Sequence, residues 1–452
     1  MKGVVLRVVF LATTYLGYLF MGYGVDRSNF WEVSFGYLFL FVAMIMFYRN
    51  RKELSWRDLF LTAMLFRAVF LFSEPRLSDD YYRFIWDGRI TAYGENPYLV
   101  YPETYVLSDE AAALGLTDAL YEGMNSKKYY TVYPPLNQAM FAFCSLMGRG
   151  DPTSELFFYH LLIFFSELLF LSIMGKLLRR FSIPHTAAIW YALNPLVIVE
   201  LCGNLHFEGV VVTLLGLAVW LYVQKSKWWW ISAICFGAAV SVKLLPLMLL
   251  PLVGAFLKWK SIRYYAVVAA TFLVGFVPFF SEELIRHWQS SIGLYFRTFE
   301  FNASLYYVVR EIGQAIYGYN PIQTVGPVMS IITITAILVV ATLTLKKYAY
   351  KVPSISVAAK SVQWTYLIYF FMATTVHPWY IITIAAVTVF VKRKEALLWS
   401  FLVLLSYSHY HGGGFSENYL FISLEYGMLL LSFLIPKRWS EELEVRILNE
   451  SP

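Results

Sequence analysis

Two adjacent carboxylates, Asp79 and Asp80, open the stretch SDDYYRFIWD at residues 78–87, immediately after an apolar run. Like charges side by side raise each other's pKa, which suits one of the two to accept a proton as a general base. Aspartate is also a favoured helix N-cap, and a helix is predicted from about Tyr81. The two roles are compatible, one aspartate capping while the other acts. The loop that follows interleaves acids with aromatics, through Asp87, Arg89 and "GENPYLVYPE" to "KKYYTVYPPL", which contains Tyr133. Such a mixture suits sugars, whose apolar faces stack on rings and whose hydroxyls donate to carboxylates. The turn signals "GENPY" and "YPP" would fix the loop. For most of the 34 tyrosines a place in an interfacial belt is the simpler reading.

The elements that must position these groups are membrane helices. Of 452 residues 59% are hydrophobic and only 15% charged, against roughly a quarter in soluble domains. The apolar residues fall in blocks close to the roughly 20 residues that a bilayer-crossing helix needs. The expected fold is therefore an all-α polytopic membrane bundle of about fourteen spans. A net charge of +6 comes from short basic clusters between the blocks, where they set orientation, and does not point to nucleic acid. Cys144, Cys202 and Cys235 are far apart, with neither metal spacing nor pairing logic, and read as buried thiols. The first apolar run, after Lys2 and Arg7, lacks a small-residue cleavage site and reads as an uncleaved helix.

Alternating from a cytoplasmic N-terminus puts "RNRK" at 49–52, "KLLRR" at 176–180, Lys225 and Lys227, "KWKSIR", Lys346 and Lys347, "KRK" at 392–394 and "PKR" at 436–438 all inside, with the C-terminus. The acidic loop 74–135 then lies outside, and with it His206, Glu208, Lys243, His377, His409 and His411. Pro135–Gly148 is apolar but short; a crossing there would reverse every later assignment, so it is expected to lie at the outer interface. Polar side chains gathered at one membrane face read as a site. Three parts are expected: an N-terminal hairpin at 1–57, the outer acidic segment with interfacial helices at 74–150, and the remaining bundle at 155–438.

"LSDDYYRFIWDGRITAYGENPY", "YPPL", "ALNPLVIVELCGNLHFEGVV" and "AAVSVKLLPLMLLP", in this order, resemble the GT-C superfamily of polyprenyl-phosphate-sugar-dependent glycosyltransferases. The resemblance is to bacterial mannosyltransferase-like members, related to the polyprenol-phosphate-mannose α-mannosyltransferases and to the catalytic subunit of GPI mannosyltransferase I. It runs over roughly residues 70–440, and by it the first two spans look like an addition. It implies a polyprenyl-phosphate-linked sugar as donor, a lipid or glycan hydroxyl as acceptor, and inversion by an aspartate base in the first outer loop. In the family an aromatic follows the base by four residues. "DYYRF" fits that from Asp80 to Phe84, with Asp79 as a partner that orients the acceptor, although the two could be exchanged.

The implied leaving phosphate calls for a cation. Lys243, beside an outer helix end, is the first choice, with a snorkelling lysine as the plain alternative. Arg83, Arg297 and Arg310 are weaker candidates. His377 in "HPWY" could bond the phosphate or the acceptor. Trp379, Tyr380, His206, Glu208, Asp87, Arg89 and Tyr133 are expected to line the substrate cleft. A divalent metal is possible, but no close ligand spacing supports one, and no other cofactor is implied. The competing reading is a transporter or flippase, which would explain many helices with Gly/Pro breaks but not the large acidic outer loop; no repeat between two halves is visible.

Overall fold

The structure is a computed structural model that describes residues 2–348, 354–391, 395–411 and 414–434. The basic clusters at 392–394 and 436–438 lie outside the described residues. The chain is an all-α membrane protein. Among the described residues the only sheet is a two-residue pairing of Tyr410–His411 with Gly414–Phe415.

Four helical stretches are long and apolar enough to cross a bilayer: Phe30–Arg49, Pro152–Arg180, Leu245–Phe279 and Ile322–Lys347. A fifth, His185–Ala192 with Pro195–Gly203, is bent by 57° at its break. Leu245–Phe279 is not one straight rod. The Tyr265 hydroxyl donates to the Leu250 carbonyl at 2.7 Å, which fifteen residues of continuous helix would hold about 22 Å apart. The chain turns back at Lys258, whose φ is +54°. This reversal falls at "KWKSIR", where the basic cluster predicted a turn. Other apolar blocks form shorter helices, including Glu208–Gln224, Trp229–Val242 and Tyr419–Leu434.

The acidic segment is itself helical at its start. Asp80–Ala92 forms a helix with Asp79 at the N-cap position, although the Asp79 side chain makes no capping bond. This helix lies against Pro135–Gly148. Gly88 permits the contact, because a Cβ there would stand 2.7 Å from the Phe141 carbonyl oxygen. Phe84 stacks on Phe141 at 4.8 Å and meets Tyr133 and Phe207 edge-on, each at 5.3 Å. One aromatic cluster thus joins the loop helix to the elements around it.

Pro135–Gly148 spans 14 residues, about 21 Å, short of the roughly 30 Å hydrocarbon core. It buries Asn137, Gln138 and Phe141 and leaves Phe143, Leu146 and Met147 exposed. Arg149 and Gly150, both with positive φ, turn the chain into Pro152–Arg180, which starts with proline in its first turn and the Asp151 carboxylate capping Ser154 N at 2.8 Å. Residues 281–320 hold two amphipathic helices, Glu282–Arg297 and Leu305–Tyr317. All three cysteines are free and buried.

Candidate active site

Asp79 and Asp80 lie on the wall of a cavity of about 1960 Å³. The turn that carries them is pinned from behind. Leu77 N–H donates to Asn204 Oδ1 at 3.0 Å, and Asn204 in turn donates to Glu200. Asp80, the first helical residue, accepts from Asn125 Nδ2 at 3.0 Å. Burial pushes its carboxyl above the usual carboxylate range, while Asn125 and the Lys243 ammonium pull it back. Asp79 accepts from Arg27 Nη2 at 2.7 Å.

Asn125 reaches Asp80 because Arg83 holds the loop that bears it. Arg83 bonds Asp87 at 2.8 Å, one turn on, and donates to the Ser126 and Tyr129 carbonyls at 3.1 and 2.9 Å. Asp87 is completed by Gln138 Nε2 at 3.1 Å. Arg83 touches the cavity, but these bonds commit it to the loop and not to a phosphate. Arg89 is committed likewise, to Glu155 at 3.0 Å and to the Gly115 and Gly150 carbonyls. Asp87 and Arg89 are therefore buried behind the cavity wall, where a sugar does not reach.

Lys243 is on the cavity wall, one residue past the end of the Trp229–Val242 helix and in extended conformation. It is not a bare cation: it pairs with Glu208, a buried acid at the start of Glu208–Gln224. Tyr133, Glu208, His377, Trp379 and Tyr380 also line the cavity. His377 stacks between Phe301 at 4.5 Å and Trp379 at 4.3 Å. Its Nδ1 has no hydrogen-bond partner among the described residues. His206 is buried behind Trp379, stacked on it at 3.7 Å, with Glu200 3.5 Å away. His409 is buried against Phe301, and His411 is exposed in the small sheet. Arg310 is held by Glu300, Glu311 and Glu417. The Arg297 side chain lies outside the described residues.

The structure adds residues that the sequence reading did not select. Arg27 comes from the turn between the first two helices, Asn125 and Tyr129 from the acidic segment, and Tyr410 from the C-terminal part. The lining also has a large apolar share, beside Glu282, Arg286 and Gln289 of the Glu282–Arg297 helix. Ile331, Ile334, Ile337 and Leu338 of the Ile322–Lys347 helix line it together with Leu247, Met248 and Pro251. Among the described residues no group of three or more His, Cys, Asp or Glu is arranged to hold a metal ion.

No curated protein and no solved structure matches the chain. Residues 4–258 match a family described as alpha-(1->6)-mannopyranosyltransferase, N-terminal domain. The match takes in both aspartates, Glu208, Lys243 and the N-terminal hairpin. It covers more than half of the 452 residues, and the chain belongs to this mannosyltransferase family and is a glycosyltransferase.

Proposed function

We propose that the protein transfers mannose from a polyprenyl-phosphate-linked donor to a hydroxyl of a lipid or glycan acceptor, on the outer face of a bacterial cell membrane. The acceptor oxygen attacks the anomeric carbon as its proton passes to Asp80. The bond from that carbon to the phosphate oxygen breaks, configuration inverts, and polyprenyl phosphate leaves. Lys243 and His377 attend the phosphate, and Tyr133, Trp379 and Tyr380 offer ring faces and a hydroxyl edge to the sugars.

One observation supports this reading: the cavity joins a charged end, with both aspartates, Glu208 and Lys243, to a largely apolar face of one helix, whose Ser330 and Thr333 hydroxyls are spent on their own helix carbonyls, while Glu282, Arg286 and Gln289 of a second helix also line the cavity. From Gly326 to Leu338 that face descends about 18 Å. Ile331 and Ile334 are mostly exposed, as a surface shared with lipid would be. A donor with an anionic head and a polyprenyl tail has this same division. A transporter or flippase calls for polar lining along a path through the bundle, whereas Ile331, Ile334, Ile337 and Leu338 give this side of the cavity a row of apolar side chains.

The test is donor choice. Purified protein in liposomes is given labelled mannose on a polyprenyl phosphate or on a nucleotide diphosphate, with a membrane glycolipid extract as acceptor. Transfer is expected from the lipid donor alone. Equal transfer from the nucleotide donor would overturn the reading.

A further inference from the structure

We infer that Arg27, at the tip of the N-terminal hairpin, is a positioning residue of the active site: it holds Asp79 as a compensated carboxylate and leaves Asp80 as the base that takes the acceptor's proton. The inference deepens the proposed function and rests on its assignment of the base to the Asp79–Asp80 pair.

Adjacent aspartates are chemically alike, so their surroundings must divide the work between them. Asp79 stands at an N-cap position but makes no capping bond; its Oδ2 takes Arg27 Nη2 at 2.7 Å. Arg27 is itself steadied by the Tyr410 ring, 4.7 Å below its guanidinium carbon. Its side chain and that of Asp79 are 26% and 37% exposed, so the pair stands at the cavity edge and not in bulk solvent. Asp80 has only the neutral donor Asn125 on Oδ1, and its other oxygen has no hydrogen-bond partner among the described residues. A carboxylate locked onto a guanidinium is a poor base, because taking a proton breaks the ion pair.

The hairpin is placed firmly enough to do this. Tyr37, on its second helix, donates to Glu200 Oε1 at 2.8 Å, and Tyr407 reaches the same oxygen at 2.5 Å. Glu200 also accepts from Asn204, which pins Leu77 just before the aspartates. The N-terminal hairpin therefore meets the catalytic turn directly through Arg27 and indirectly through Glu200. It is a working part of the site, whereas the resemblance made it look like an addition.

The contrary view makes Arg27–Asp79 a partly exposed ion pair that merely fastens the hairpin. The acidic limb of kcat/KM against pH separates the two views, since it reports the base in the free enzyme. The other charged and titratable groups facing the pair are Asp26 and Arg76 beside Arg27, Tyr407 and Tyr410 from the C-terminal part, Glu200 behind, and Glu208 with Lys243 across the cavity. All of them stay constant across the variants.

Arg27→Met leaves Asp79 an uncompensated negative neighbour and removes a positive one. The loss of that cation raises the Asp80 pKa, so the limb moves to higher pH, by roughly one unit. Asp79→Asn keeps the guanidinium and removes the anion, so the limb moves to lower pH. Arg27→Met with Asp79→Asn brings it back toward wild type, and Arg27→Lys keeps it near wild type. An unmoved limb in Arg27→Met, or a double variant as displaced as the single, overturns the inference. Should Arg27→Met fail to reach the membrane folded, the downward shift in Asp79→Asn decides, and a limb that stays or rises there overturns it. Asp80→Asn is run alongside. If it turns over like wild type, the base assignment itself has failed, whatever Arg27 does.

Discussion

Lys243 and Glu208 form an ion pair at the charged end of the cavity, with the lysine partly exposed and the glutamate almost wholly buried. The pair places a cation at the wall and an acid behind it. The phosphate proposed to bind at the wall would meet the ammonium without displacing Glu208, because an ammonium carries three donors.

Removing one partner strands the other. Lys243→Met leaves the Glu208 carboxylate buried and unpaired, at a cost of about 2 kcal/mol or more. Thermal unfolding in detergent should fall, and Lys243→Met with Glu208→Gln should regain most of the loss. Transfer from the lipid donor should remain at least tenfold down in the double variant. A double variant that regains both stability and donor use would make Lys243 a structural lysine only.

The acidic limb of the rate profile should lie above the usual carboxylate range, because burial raises the Asp80 pKa. Asn125 donates to the ionised form and so lowers that pKa. Asn125→Ala removes this bond, disfavours the charged base, and should shift the limb further up, by up to about one unit. Activity near neutrality should fall less than activity in mild acid. A limb that moves down in Asn125→Ala would place the base elsewhere.

Much of this arrangement was legible in the sequence, and the missing parts share a cause. The apolar blocks announced helices, and the crowd of acids and tyrosines after the apolar run before residue 78 announced the candidate site. The turn at "KWKSIR" was marked by its charges. Pairings across distance were not marked. Arg27 and Asp79 are separated by 52 residues, so no local pattern ties them together. Lys243 looked bare because Glu208 lies on another helix, 35 residues back. Arg83 and Asp87 did carry a signal, four residues apart on one helix, as an internal ion pair. That spacing argues for a loop brace, which is the part Arg83 plays. The Glu282–Arg297 helix also had one, since Leu284, Trp288 and Ser291 recur at helical spacing with buried or half-buried side chains.

The apolar wall makes a prediction of its own. Ile334→Asp puts a charge where the donor's tail is proposed to lie. KM for a long-chain polyprenyl donor should rise at least tenfold, while a short-chain, water-soluble donor should be affected less than threefold. Equal effects on both donors would remove the tail from this groove.

Arg67 and Glu167 provide a structural contrast. Both side chains are fully buried, joined at 2.9 Å, with Arg67 also on the Ala192 carbonyl and Tyr191 on Glu167. Arg67→Met should cost about 3–5 kcal/mol by leaving a buried acid alone. Unfolding temperature should drop sharply, while the molecules that remain folded keep the wild-type rate profile. An altered profile would show that this pair also acts on the site.

The central claim is that Asp80 removes the acceptor proton. Its direct measurement is single-turnover transfer of labelled mannose from saturating polyprenyl-phosphate mannose, comparing wild type with Asp80→Asn in matched, folded preparations. Asparagine keeps the shape and cannot take the proton, so the rate should fall by a factor on the order of 10² to 10⁴ while donor binding persists. A rate within threefold of wild type would contradict the account.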